Sequence, residues 1–164
     1  PNSMRAWGLR LIGLGSSIAS DTSSSFRDRY GDVQLEANAE YRFTVAQFSS
    51  VKIGGALFTD IGNVWNLHKD EEQTGSNFSF NRLGKDIAVG IGTGIRFDFS
   101  YFLIRVDFGI KLKDPVRSAN NGWLNPSEFT WKNYEYSIKN PVTGRYEPLT
   151  RNNYAIQLGI GLPF

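Results

Sequence analysis

Cysteine is absent from the 164-residue chain, and histidine occurs once, as His68. The first absence excludes disulfides, thiolate metal sites and cysteine nucleophiles together. The second excludes a His-rich metal site. Charge of one sign is also lacking: 18 Lys and Arg stand against 16 Asp and Glu, a net +2, so no strongly basic face is demanded and nucleic-acid binding gains no support. No segment approaches the roughly 18 apolar residues of a membrane helix; the longest apolar run is 87–92. Pro1-Asn2-Ser3-Met4 opens on polar residues, so no secretory leader is expected at this end. No stretch of ten residues follows a helical period, and no solenoid or propeller repeat is visible. What is abundant is aromatic side chains, at 14%, and glycine, at 17 residues. Two architectures fit these limits, a soluble all-β domain and a transmembrane β-barrel, whose alternating strands escape hydropathy averages.

Periodicity favours strands throughout. Over 33–45, Val33, Leu35, Ala37, Ala39, Tyr41, Phe43 and Val45 alternate without a break with Gln34, Glu36, Asn38, Glu40, Arg42 and Thr44. A period of two sorts these sets onto opposite faces, where a helix would mix them. Four further segments, 51–65, 87–99, 102–113 and 153–164, follow the same rule. Most run 12 to 15 residues, longer than the usual ~5–6 of soluble strands and enough for the ~9–11 that cross a bilayer when tilted. One face of each is aliphatic and aromatic, and the other carries glycine and full charges. No second apolar layer is supplied by this chain, so lipid is the natural partner of the apolar faces.

Connections alternate strictly. Short turns at 46–50 and 100–101 separate long segments at 1–32, 66–86 and 114–152. Outer-membrane barrels have this signature, with short periplasmic turns and long extracellular loops. Aromatic residues near strand ends (Tyr41, Phe43, Trp65, Phe97, Phe99, Tyr101, Phe102, Tyr154 and Phe164) suit interfacial girdles. Five strands do not close a barrel, which needs about eight. The chain is therefore expected to form part of a larger barrel, or to pair with strands from elsewhere.

The motifs, taken in order, resemble the C-terminal end of the BamA/TamA-type outer-membrane assembly factors of the bacterial surface antigen superfamily. Met4-Arg5-Ala6-Trp7 resembles the Arg-Gly-aromatic tip of that family's long inward-folded loop, with Ala6 where glycine is usual. Asn38-Ala39-Glu40-Tyr41-Arg42-Phe43 resembles the strand that follows the loop. Phe58, Asp60, Gly62 and Trp65 match a Phe-x-Asp-x-Gly-x-x-Trp strand pattern. Gly90–Arg96 and Ile104–Asp107 resemble the next two strands, and Phe164 the terminal signal. The resemblance implies the last five strands of a sixteen-stranded antiparallel transmembrane β-barrel in the cell outer membrane, with 1–32 as the inward-folded loop. It also implies partners: the lipid bilayer, nascent outer-membrane proteins, and the missing N-terminal strands and periplasmic domains of the same protein or of a partner chain.

The resemblance places Arg5 in the lumen against wall carboxylates at Glu40 and Asp60. Alternation alone turns both acids away from the apolar face. A charge-assisted contact would pin the loop; the plainer alternative is that these acids face water or the cations Arg42, Lys52, Arg96, Arg105 and Lys111. Gly90, Gly92 and Gly94 have a superficial likeness to a dinucleotide loop, but their spacing is wrong and no helix is expected to follow. They fit better as lumen positions left open for a neighbouring group. Tyr154, Ile156, Leu158, Ile160, Leu162 and Phe164 form a candidate terminal signal and gate strand, or a plain seam. The run 68–72 reads as a solvated loop. Segment 114–152, rich in Trp and Tyr, reads as a partner surface or a cap over the barrel mouth.

No nucleophile–base pair or metal cluster argues for an enzyme or a cofactor. The expected activity is assembly and insertion of outer-membrane proteins, by strand templating at a lateral gate. A secretion porin or passive pore of the same superfamily is the alternative, and a soluble β-sandwich interaction domain is a third.

Overall fold

The computed structural model describes residues 4–8, 12–17, 31–69, 74–117, 119–132, 134–139 and 146–162, with 134–139 and 146–151 as backbone. Residues 70–72 of the charged run 68–72, and Phe164 at the end of the expected terminal signal, lie outside the described residues.

Among the described residues seven strands form: β1 (Val33–Phe48), β2 (Val51–Trp65), β3 (Ala88–Asp98), β4 (Leu103–Lys113), β5 (Tyr134–Lys139), β6 (Tyr146–Arg151) and β7 (Tyr154–Gly161). Five make one antiparallel sheet in the order β1-β2-β3-β4-β7, open at both edges; β5 and β6 form a separate hairpin. β1 pairs with β2, and β3 with β4, across the tight connections Ser49-Ser50 and Phe99–Phe102. Ser49 and Ser100 take positive φ there, and the Phe99 amide donates to the Phe102 carbonyl at 3.0 Å.

β1 runs three residues beyond the expected 33–45. Its register against β2 shifts between Thr44 and Ala46, which leaves Val45 as an extra residue. Such a bulge reverses the phase of alternation, so Phe48 faces outward opposite Val51 although the simple period assigns it to the polar set. A second shift between Val89 and Gly90 marks Leu112 as extra in β4. β7 stops at Gly161, short of the expected 153–164, and Leu162 lies past its end. Segment 114–152, expected as loop, contains the β5–β6 hairpin and the 3-10 turns Ala119–Gly122 and Pro126–Glu128. The described part of segment 66–86 contains the 3-10 turn Phe80–Arg82, followed by one α-helical turn, α1 (Leu83–Asp86).

Burial is inverted relative to a soluble sheet. Tyr41, Leu57, Ile95, Ile156, Leu158 and Ile160 are exposed, whereas Asp60, Arg96, Asp107 and Lys111 are buried. The only hydrophobic cluster among the described residues is Met4, Ala6, Trp7 and Ala88, with Ile12 packed against it. The core is thus the tip of the N-terminal segment pressed onto the polar face of the sheet. Monomeric soluble proteins rarely expose an apolar face this extended. No described helix is long and apolar enough to cross a membrane.

Candidate functional site: a loop tip clamped to the wall

The tip is a tight turn in which the Trp7 amide donates to the Met4 carbonyl at 3.1 Å. Ala6 does not take positive φ, so the turn does not need the glycine usual in the resembling motif. Its methyl group is fully buried. It is accommodated by missing side chains on the wall. A Cβ on Gly90 would lie 2.7 Å from the Ala6 Cβ, and one on Gly109 would lie 2.8 Å from the Ala6 N and Cα. Both are closer than real side chains allow.

Of the three glycines singled out from the sequence, Gly90 makes room for the tip. Gly92 makes room for the Phe58 ring, and Gly94 for Asp107 and Arg96. Gly109 was missed, although it sits directly opposite Gly92 in the β3–β4 register. Facing glycines on adjacent strands at polar-face positions are the signal that would have found it.

Arg5 carries the contact. Its Nε donates to Asp60 Oδ2 at 3.0 Å and its Nη2 to Asp60 Oδ1 at 2.7 Å, a bidentate fork; its backbone N–H donates to Oδ2 at 2.9 Å. Nη1 reaches Glu40 Oε2. The guanidinium lies over the Phe58 ring, 3.6 Å from its centroid, close enough for a cation–π contribution. Asn38 donates to Asp60 Oδ1 at 3.0 Å. Arg5 is 6% exposed and Asp60 0%. Burial works against the Arg5 charge, but its hydrogen bonds to Asp60 and Glu40 outweigh it and hold the group above its ordinary value. The structure therefore brings Arg5, Glu40 and Asp60 together, from the tip, β1 and β2.

Of the cations considered as alternative partners, two share Glu40 with Arg5. Arg42 Nε donates to Glu40 Oε1 at 2.5 Å and Arg96 Nη2 at 2.7 Å. Arg96 continues to Asp107 at 3.5 Å, where Arg105 also approaches at 3.6 Å. A line of alternating charge thus runs from the tip across β1, β3 and β4. Lys111 pairs with Asp114 at 3.6 Å and lies 5.5 Å from the Trp7 ring centroid. Lys52 and Asp98 join Arg42 and Arg96 around an open cleft of about 370 Å³, toward the Ser49-Ser50 turn.

Two supports escaped sequence reasoning. Gln157 on β7 donates to the carbonyls of Arg5 (3.0 Å) and Trp7 (2.9 Å). Asn63 Nδ2 donates to the Gly15 carbonyl at 2.9 Å and to the Asp86 carbonyl, fixing the returning arm of the loop along the end of β2. Trp65, the last residue of the β2 motif, is buried and donates to Asp86 Oδ2 at 3.3 Å. Neither amide carries a charge pattern that distinguishes it from other polar-face residues.

Tyr154, Ile156, Leu158 and Ile160 line the outer face of β7, and Leu162 follows them, exposed. At one end of this row Tyr154 meets Trp131, which also stacks on Phe108 and packs edge-on to Phe129, with centroid separations of 5.0–5.7 Å. Tyr154 Oη donates to the Trp131 carbonyl at 3.1 Å. Part of segment 114–152 therefore folds back over the outer face of β4 and β7. Among the described residues, no group of three or more His, Cys, Asp or Glu is placed to hold a metal ion.

The Omp85 superfamily domain matches residues 1–164, the whole sequence. The chain belongs to the Omp85 superfamily. No curated relative and no solved structure matches it. Members of the Omp85 superfamily are outer-membrane proteins, and membership points to the biogenesis of outer-membrane proteins or to transport. The inverted burial of the five-stranded sheet agrees with an Omp85 wall.

Proposed function

We propose that this Omp85 chain forms the C-terminal wall of a sixteen-stranded transmembrane barrel of the BamA/TamA type, which folds and inserts other outer-membrane proteins. The apolar face of the sheet meets lipid. The polar face lines the lumen, with 1–32 as the loop folded into it. Both edges of the sheet expose unpaired backbone groups, which hydrocarbon does not tolerate; the remaining strands of the barrel, from the same protein or a partner chain, close them. Periplasmic domains and nascent outer-membrane proteins complete the list of partners. The Arg5–Asp60–Glu40 contact is a latch, and β7 is the seam strand, with the terminal signal carried by the sequence 154–164.

The observation that carries the choice of an assembly factor over a passive pore is the tip itself. It touches the polar face of all five strands of the sheet, from Glu40 on β1 through Asp60, Gly90 and Gly109 to Gln157 on β7. A lumen occupied by its own loop leaves the strand edge as the route to a client. An edge strand offers its ladder to an incoming chain by strand addition. No covalent chemistry is required.

The test is reconstitution of the full-length protein in liposomes. An assembly factor speeds folding of an unfolded outer-membrane protein and conducts ions weakly. A secretion porin or pore conducts steadily and leaves the folding rate of that client unchanged, which would overturn this reading.

A further inference from the structure

β7 is an edge strand, hydrogen-bonded along one side only, to Leu103–Ile110 of β4. Its inner face also touches the tip, through Gln157. Both protons of the Gln157 amide are committed to the carbonyls of Arg5 and Trp7. A carbonyl only accepts, so the contact requires a donor at this position. Those carbonyls flank the turn whose side chain is clamped to Asp60 and Glu40. A continuous polar path therefore joins the acid pair on β1 and β2 to the far edge of the sheet.

A second acceptor stands next to Gln157. Asp107 is its direct cross-strand partner. That carboxylate is buried, and neither oxygen has a hydrogen bond; Arg96 and Arg105 approach only at 3.5 and 3.6 Å. Directly opposite side chains lie within reach of each other, yet the amide is turned to the tip. A buried carboxylate with two ion pairs but no hydrogen bond, beside a committed donor, gives that donor somewhere to go when the tip leaves.

We propose that Gln157 is the positioning residue of the seam strand: it ties β7 to the loop tip while the latch is closed and turns to Asp107 when the tip withdraws. The proposal rests on reading β7 as the seam. It makes the state of the lumen loop felt at the edge where a client would pair, through one side chain rather than through the sheet as a whole.

Amide hydrogen exchange of the full-length protein in lipid nanodiscs, without client, tests it. Gln157→Glu keeps the shape and removes both donors; Gln157→Leu removes them without adding charge. In each, loss of two hydrogen bonds is expected to speed exchange of the Tyr154–Gly161 amides by roughly tenfold or more. The Met4–Gly8 and β2–β3 amides stay protected, because Arg5 remains on Asp60. Gln157→Lys, which keeps donors and lacks acceptors, restores protection of β7. Unchanged exchange in β7, an equal loss in β2 and β3, or no rescue by Lys would each overturn the proposal. Client folding is measured separately on the same variants. A looser β7 with unaltered client folding would contradict the assembly-factor reading and leave the role of Gln157 standing.

Discussion

Removing the Arg5 side chain is the sharpest perturbation of the clamp. Arg5→Ala deletes the two-point contact with Asp60, the contact with Glu40 and the stacking on Phe58. It leaves the fully buried Asp60 carboxylate with only Asn38 and the residue-5 backbone N–H as donors. Breaking one side of a buried ion pair costs about 3–5 kcal/mol, because the remaining charge stays desolvated. The surviving donors put the expected cost near the lower figure, and 3 kcal/mol corresponds to roughly a hundredfold change in the closed-to-open ratio of the tip. Hydrogen exchange at Met4–Gly8 reads this ratio directly. Arg5→Lys keeps one charge but cannot form the fork, so it should fall between Ala and wild type. Asp60→Asn in the Arg5→Ala background should recover part of the loss, because no charge is then stranded. Equal protection of the tip in Arg5→Ala and wild type would refute the energetic account of the clamp.

Three further outcomes follow from other parts of the structure. Gly109→Val places a side chain where the Ala6 backbone lies; overpacking of this kind costs about 1–3 kcal/mol, so tip protection should fall although Arg5 is intact, and unchanged protection would mean the tip does not pack there. Trp131, exposed beside Tyr154 and Phe108, should be quenched by brominated lipid in nanodiscs in a Trp7→Phe, Trp65→Phe, Trp123→Phe background, whereas quenching by aqueous iodide alone would place it in water. Arg117 donates to Glu128 at 2.6 Å, and this hydrogen bond, with others from Asn125, holds the Glu128 carboxyl below its ordinary value of 4.5. A depressed carboxyl stabilises the fold above its unfolded pKa, and the contribution is lost as pH falls through the folded value. Protection factors at Ser127 and Glu128, corrected for the intrinsic pH dependence of amide exchange, should therefore fall below about pH 4 and stay flat between pH 6 and 8; a fall across the neutral range would contradict the assignment.

The five long strands were legible because each obeys a period of two with few interruptions, and alternation alone put Glu40, Asp60 and the three glycines of β3 on one face. The bulge at Val45 was not legible: an extra residue flips the phase without changing composition, so the pattern seemed to end where the strand only bends. In β5, Tyr134, Tyr136 and Ile138 do alternate with Glu135, Ser137 and Lys139. Six residues are few, however, and Pro148 in the partner strand argues against pairing. α1 is a single turn, shorter than any helical period can reveal. The acids of the clamp were visible as charges on a polar face. Gln157 was not, since nothing local separates an amide that meets residues 150 positions away from one that meets water.

The central claim is that the apolar face of this sheet meets lipid and its polar face an enclosed interior. The lack of cysteine in these 164 residues makes it measurable: with any cysteine elsewhere in the full-length protein replaced, single cysteines can be introduced and spin-labelled without interference. Adjacent pairs that straddle the sheet are the most informative: Tyr41 and Arg42 on β1, Val106 and Arg105 on β4, Leu158 and Gly159 on β7. In nanodiscs of the full-length protein, labels at Tyr41, Val106 and Leu158 should collide with dissolved oxygen, which concentrates in lipid. Labels at Arg42, Arg105 and Gly159 should respond instead to a water-soluble nickel complex. Nickel access at all six positions would contradict the account.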